Sequence, residues 1–176
     1  MLNEKYRVPL LGLTFLFLLM VSYYANTVFF NAFRVLFQNQ LLVFLMIFIN
    51  NVIATAMIWL GMTFYVELVV HGYFKREKYA LVVLEHPRAF ASVFTSIVLF
   101  VSLLRGTEFF LGRIVVEALP TIFLVSAPMG ILEGYGVYLT IQKTLSRAIA
   151  LKDLVYIYGL FLIAALIEVG LINILR

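Results

Sequence analysis

"LLVFLMIFINNVIATAMIWLGMTFYVELVVH", residues 41–71, decides the fold. A membrane crossing takes roughly 20 apolar residues at about 1.5 Å each. This run exceeds that, and Asn50-Asn51 interrupts it at one definite place. Four more apolar segments share the chain: Val8–Ala25, Ala89–Leu104, Ile114–Ile141 and Leu154–Leu175. The segment at Ile114–Ile141 is also over-long, and it holds Pro120 and Pro128-Met129-Gly130. The expectation is an all-α, polytopic transmembrane helix bundle of about five spans. Its second and fourth helices should be broken or kinked, at Asn50-Asn51 and at Pro128. Residues 1–176 form a single transmembrane domain on this reading.

Composition agrees. The 176 residues are 64% hydrophobic and only 12% charged, with mean hydropathy +1.07. A soluble domain is about half apolar and about a quarter charged, so this chain lacks the material for a polar coat. The lipid bilayer is its expected surrounding. With no cysteine, disulfides, thiolate metal sites and cysteine nucleophiles are excluded. The net charge of +4 does not signal nucleic acid, because the basic residues lie in short connections between apolar runs. The opening "MLNEKYRVPLLGLTFLFLLM" has the look of a signal peptide. Its apolar run is long enough to span and no small-residue cleavage site follows cleanly, so it reads as a retained first helix. The stretch "TVFFNAFRVLFQNQ", residues 27–40, reads either as an interfacial helix or as an extension of the second helix.

Orientation comes from Lys and Arg. Lys5, Arg7, Lys75, Arg76, Lys78, Arg88, Lys143, Arg147 and Lys152 fall on one set of alternate connections. Arg34, Arg105, Arg113 and Arg176 fall on the other. This bias predicts a multi-pass protein of the cell membrane, its N-terminus cytoplasmic and its C-terminus outside.

Ionisable groups at membrane depth cost at least ~2.5 kcal/mol on insertion scales and mark candidate sites. Glu67 shares a helix face with His71, four residues on, and a local partner accounts for it. Glu117 lies four residues after Arg113, which suggests an interfacial pair. Glu133 and Glu168 have no basic residue within a helical turn. Each either carries a proton and bonds a neighbouring helix, or faces a polar cavity. On five crossings, Glu67 and Glu133 share the inner half of the membrane, and Glu117 and Glu168 the outer half. That placement suggests a relay of carboxyls. Asn50 and Asn51 suit interhelical hydrogen bonds or the cap of a restarted helix. Ser126, Gly130 and Gly134 fall four apart, a spacing that allows close helix packing.

Familiar catalytic sets are missing. Asp153 is the only aspartate, so an intramembrane protease with paired aspartates is excluded. His71 and His86 belong to one loop region, and neither an HExxH motif nor a phosphate-binding glycine loop occurs. The chain is expected not to be an enzyme and to use no cofactor or metal.

Three stretches resemble a known family. "IFINNVIATAMIWLG", 47–61, is similar to the Phe-x-Asn-Asn segment of the stage II sporulation protein M family. "APMGILEGYG", 127–136, resembles that family's Pro-His-Gly-x-x-Glu motif, with Met129 in place of the histidine. "IAALIEVGLI", 163–172, resembles its terminal Ala-x-x-Glu helix. Their order and spacing agree from about residue 40 to the end. His71-Gly72 stands where the family has Asn-Gly. The resemblance marks Asn50, Asn51, Pro128, Gly130, Glu133 and Glu168. Sporulation members of the family are membrane partners of cell-wall hydrolases, and export, channel and scaffold roles are suggested for the wider family. The expected function is a non-enzymatic scaffold or partner-binding subunit, its partner a second copy or another membrane protein. The alternative is a small transporter or channel with Glu133 and Glu168 lining an ion or proton path.

Overall fold

The computed structural model describes residues 39–72, 80–111 and 113–175, with scattered positions between Pro9 and Tyr24 that are helical. Among the described residues there is no strand. The helices are α1 (Gln40–Val70), α2 (Ala80–Glu85), α3 (Pro87–Leu111), α4 (Leu119–Leu145) and α5 (Leu151–Leu175). A 3₁₀ turn, Val116–Ala118, leads into α4. α1, α3, α5 and α4 with its leading turn are long and apolar enough to cross a membrane, so the protein is an all-α membrane bundle. Eight of the eighteen positions of the expected first span, Val8–Ala25, lie outside the described residues. So do the stretch 27–38 and the charges at Lys5, Arg7, Arg34, Lys75, Arg76, Lys78 and Arg176.

Local chemistry sets the ends of these helices. Asn39 caps α1, its side chain accepting from the Leu42 N–H at 3.3 Å. At the other end the chain turns at His71-Gly72, where Gly72 takes φ 73°, a value open to glycine at no steric cost. Pro87 begins α3, where its missing N–H costs nothing. α4 and α5 form an antiparallel hairpin. In its turn, the Asp153 carboxylate accepts from the Ala150 N–H at 2.9 Å.

Neither expected break occurs. α1 is continuous through Asn50-Asn51, and α4 is continuous through Pro128. Lipid offers no partner to backbone groups freed by a break, so an unbroken ladder is favoured. At Pro128 the chain forgoes one N–H, and the helix carries on. Pro120 sits in the first turn of α4, a start signal rather than a breaker. The surplus length becomes helix: 31 residues in α1 reach about 46 Å, enough to pass beyond the hydrocarbon on both sides.

α4 is the hub, packing against α3, α5 and α1, while α1 also packs on α5. Two apolar clusters result. One gathers Val66, Ala91, Val137, Ile141 and Leu145, near the end of the bundle that carries the α4–α5 turn. The other gathers Val43, Ile47 and Ala165, toward the far end. There, Gln40 donates to the Asn173 side chain at 3.2 Å, tying the start of α1 to the end of α5.

Candidate functional site

Between the two apolar clusters lies a polar one. The Asn51 side-chain N–H donates to Glu133 Oε1 at 2.5 Å, joining α1 to α4 across 82 positions of sequence. Glu168, on α5, lies near enough to Glu133 for the two carboxyls to feel each other's charge. Two contacts fix how α4 and α5 are aligned. Gly136 backs onto the Phe161 ring, and Lys143 Nζ reaches Asp153 Oδ1 at 3.4 Å. On that alignment Glu168 sits about 6 Å farther along the bundle axis than Glu133, roughly one helical turn.

The carboxyl relay does not form. Glu67 lies sixteen residues past Asn51 on α1, about 24 Å away along the axis, so it does not share a level with Glu133. It stays local instead, with Oε2 3.4 Å from His71 Nδ1. Nor does Glu117 pair with Arg113. Arg113 sits in a bend and Glu117 in the 3₁₀ turn that follows, so no helix face carries both, and both are exposed. What remains is a central pair, Glu133 and Glu168, with Asn51 bound to one of them. Asn50 is half-buried and makes no side-chain hydrogen bond among the described residues. Thr55 follows Asn51 by one turn. It is 1% exposed, and its hydroxyl has no hydrogen-bond partner among the described residues.

The small residues divide differently from their spacing. A Cβ on Gly134 would stand 2.8 Å from Leu99 Cδ1, so Gly134 does admit α3 closely. A Cβ on Gly130 would meet nothing within 4 Å, and Ser126 merely turns its hydroxyl toward the Phe123 carbonyl. Ser126 and Gly130 therefore pack against no helix among the described residues. Gly136 does, since a Cβ there would fall 2.7 Å from the Phe161 ring. The spacing argument missed Gly136 and Phe161. It also missed Thr140 and Thr144, which are buried on α4 and bond back to the Gly136 and Thr140 carbonyls. The signal for Gly136 was in the chain, where glycine follows glycine by two in "EGYG", but it needed a partner helix to be read.

Chemically the site offers two carboxyls, an amide and a hydroxyl, all oxygen or nitrogen groups of the kind that bind helices or small cations. Among the described residues no group of three or more His, Asp or Glu could hold a metal ion. Comparison with known protein families, with curated proteins and with solved structures finds no match.

Proposed function

We propose that this chain is a non-enzymatic membrane scaffold, a partner-binding subunit of the stage II sporulation protein M kind. One observation carries the reading. The three stretches that resemble the family lie far apart in sequence and on three different helices. Their polar residues Asn51, Glu133 and Glu168 nevertheless converge on one spot. In this reading Asn51 and Glu133 clasp α1 to α4, and the half-buried flank around Gly130 receives a second membrane helix. That helix belongs to a second copy of the chain.

The test uses two tagged copies co-expressed in one membrane. A Cβ at position 130 meets nothing within 4 Å among the described residues, so with Gly130→Leu the monomer should melt as before while co-isolation of the second tag falls roughly tenfold. Glu133→Gln, which keeps shape and hydrogen bonding, should leave co-isolation intact. Undiminished co-isolation by Gly130→Leu would remove the small-residue interface from the scaffold reading.

A second reading has its own support. Glu168 makes no hydrogen bond among the described residues, and it adjoins another carboxyl at membrane depth. Carboxyls at membrane depth mark cation and proton paths. Proteoliposomes should then pass ions with the native chain and fail with Glu168→Gln. Absence of flux from both would sink this reading.

The proposed orientation places the N-terminus and the α4–α5 turn in the cytoplasm and Asn39 outside. A chain with no cysteine makes the check direct. A single cysteine at Ser146 should react only with a reagent admitted to the cytoplasmic face. One at Asn39 should react from outside. The reverse pattern inverts the topology.

A further inference from the structure

At the turn end of the α4–α5 hairpin, the two helices flank a groove of about 330 Å³. Tyr135, Leu139 and Lys143 line it from α4, and Asp153, Tyr156 and Ile157 from α5. The α4 residues are spaced by four, so they form one file of side chains. From Tyr135 to Lys143 the file runs eight residues, or about 12 Å along the helix. Its two ends differ in chemistry. Toward the middle of the bundle the walls are Tyr135, Leu139 and Ile157, with half the Tyr135 surface open. At the turn, the wall ends in the Lys143 ammonium.

That ammonium is held in place. Asp153 is fixed by its bond to the Ala150 N–H, and it in turn holds Lys143 at 3.4 Å. An ammonium has three donors, so others remain for a ligand. Arg147 and Lys152 are exposed on the same turn, setting three cations against one carboxylate. A groove with aromatic and aliphatic walls along the helices and fixed positive charge at one end suits an amphiphile. It lies beside exposed Tyr135 and Tyr156, a residue type that favours the headgroup level.

We propose that this groove holds one anionic phospholipid from the leaflet on the side of the α4–α5 turn. The phosphate meets Lys143, with Arg147 and Lys152 alongside, and an acyl chain lies along Tyr135, Leu139 and Tyr156. The occupant is a lipid rather than a protein segment, because a single anion beside a groove with aromatic and aliphatic walls matches the charge and the chemistry together. Basic pockets between membrane helices take anionic headgroups by the same electrostatics. This inference is independent of the scaffold and transport readings.

The test is native mass spectrometry of the full chain, purified in zwitterionic phosphatidylcholine and then offered phosphatidylglycerol. The native chain should keep one phosphatidylglycerol in preference to phosphatidylcholine. Lys143→Gln should weaken that preference about fivefold, the effect of one cation near a headgroup. Because Lys143→Gln also breaks the Asp153 pair, a second variant, Arg147→Gln with Lys152→Gln, removes charge and leaves the pair intact; it should weaken the preference as well. Leu139→Trp fills the groove without altering charge, and it should abolish retention while the melting temperature holds. Equal retention of both lipids by the native chain overturns the proposal, as does full retention by Leu139→Trp. Displacement of phosphatidylglycerol by inorganic phosphate alone also overturns it, since the acyl chain would then contribute nothing.

Discussion

Phe161→Ala should destabilise the bundle by about 2–3 kcal/mol, measured as detergent- or denaturant-induced unfolding in bilayers or bicelles. In water-soluble cores the same truncation costs about 3–5 kcal/mol. The reduction follows from the solvent. When α4 and α5 separate in a membrane, the ring passes to lipid tails rather than water, so the transfer component largely disappears. The packing component stays. Phe161 is 1% exposed and fills the contact with Gly136, and no neighbouring side chain can collapse into its place without leaving another void. A loss under about 0.5 kcal/mol, the size of an ordinary surface substitution, would show that the α4–α5 contact is not tightly packed.

Gly136→Ala tests the same contact from the other side. The new methyl would lie 2.7–2.8 Å from two ring atoms of Phe161. The ring is rigid and enclosed, so the helices must part or the ring must leave its rotamer, at about 1–3 kcal/mol. Alanine's better helix propensity returns only about 0.5–1 kcal/mol. Gly134→Ala should be gentler, because the atom it meets is the end of the Leu99 side chain, which can rotate. Combining Gly136→Ala with Phe161→Ala should cost clearly less than the sum of the two, since removing the ring removes the clash. Strict additivity would mean that the two residues do not touch.

Much of this fold was legible in the sequence. Apolar length located α1, α3, α4 and α5, and the His71-Gly72 stop placed the end of α1 to within a residue. Intramembrane polarity picked out Asn51, Glu133 and Glu168. Their convergence was not legible, because the contact between Asn51 and Glu133 depends on how α1 and α4 face each other, and spacing within one helix carries no such information. The break at Asn50-Asn51 is absent for a related reason. Asparagine breaks helices where it can bond its own backbone in water. Here Asn51 gives its N–H to Glu133 instead, and the backbone ladder runs on. At Gly130 the spacing of four identifies neighbours on a face, and says nothing about which helix lies against that face, one of the same chain or one of another.

The central position of α4 also bears on how the chain is made. Its span has mean hydropathy 1.4, the lowest of the four, against 2.4 for α1 and 2.3 for α5. It carries Pro128 and Glu133 as well, so it is the helix least able to enter a bilayer unaided. Synthesis runs from the N-terminus, and α1 and α3 are therefore in place before α4 leaves the ribosome. Asn51 then waits in the membrane as a ready donor for the glutamate, and α5 follows after a turn of a few residues. The order of the helices along the chain gives the weakest inserter company on both sides.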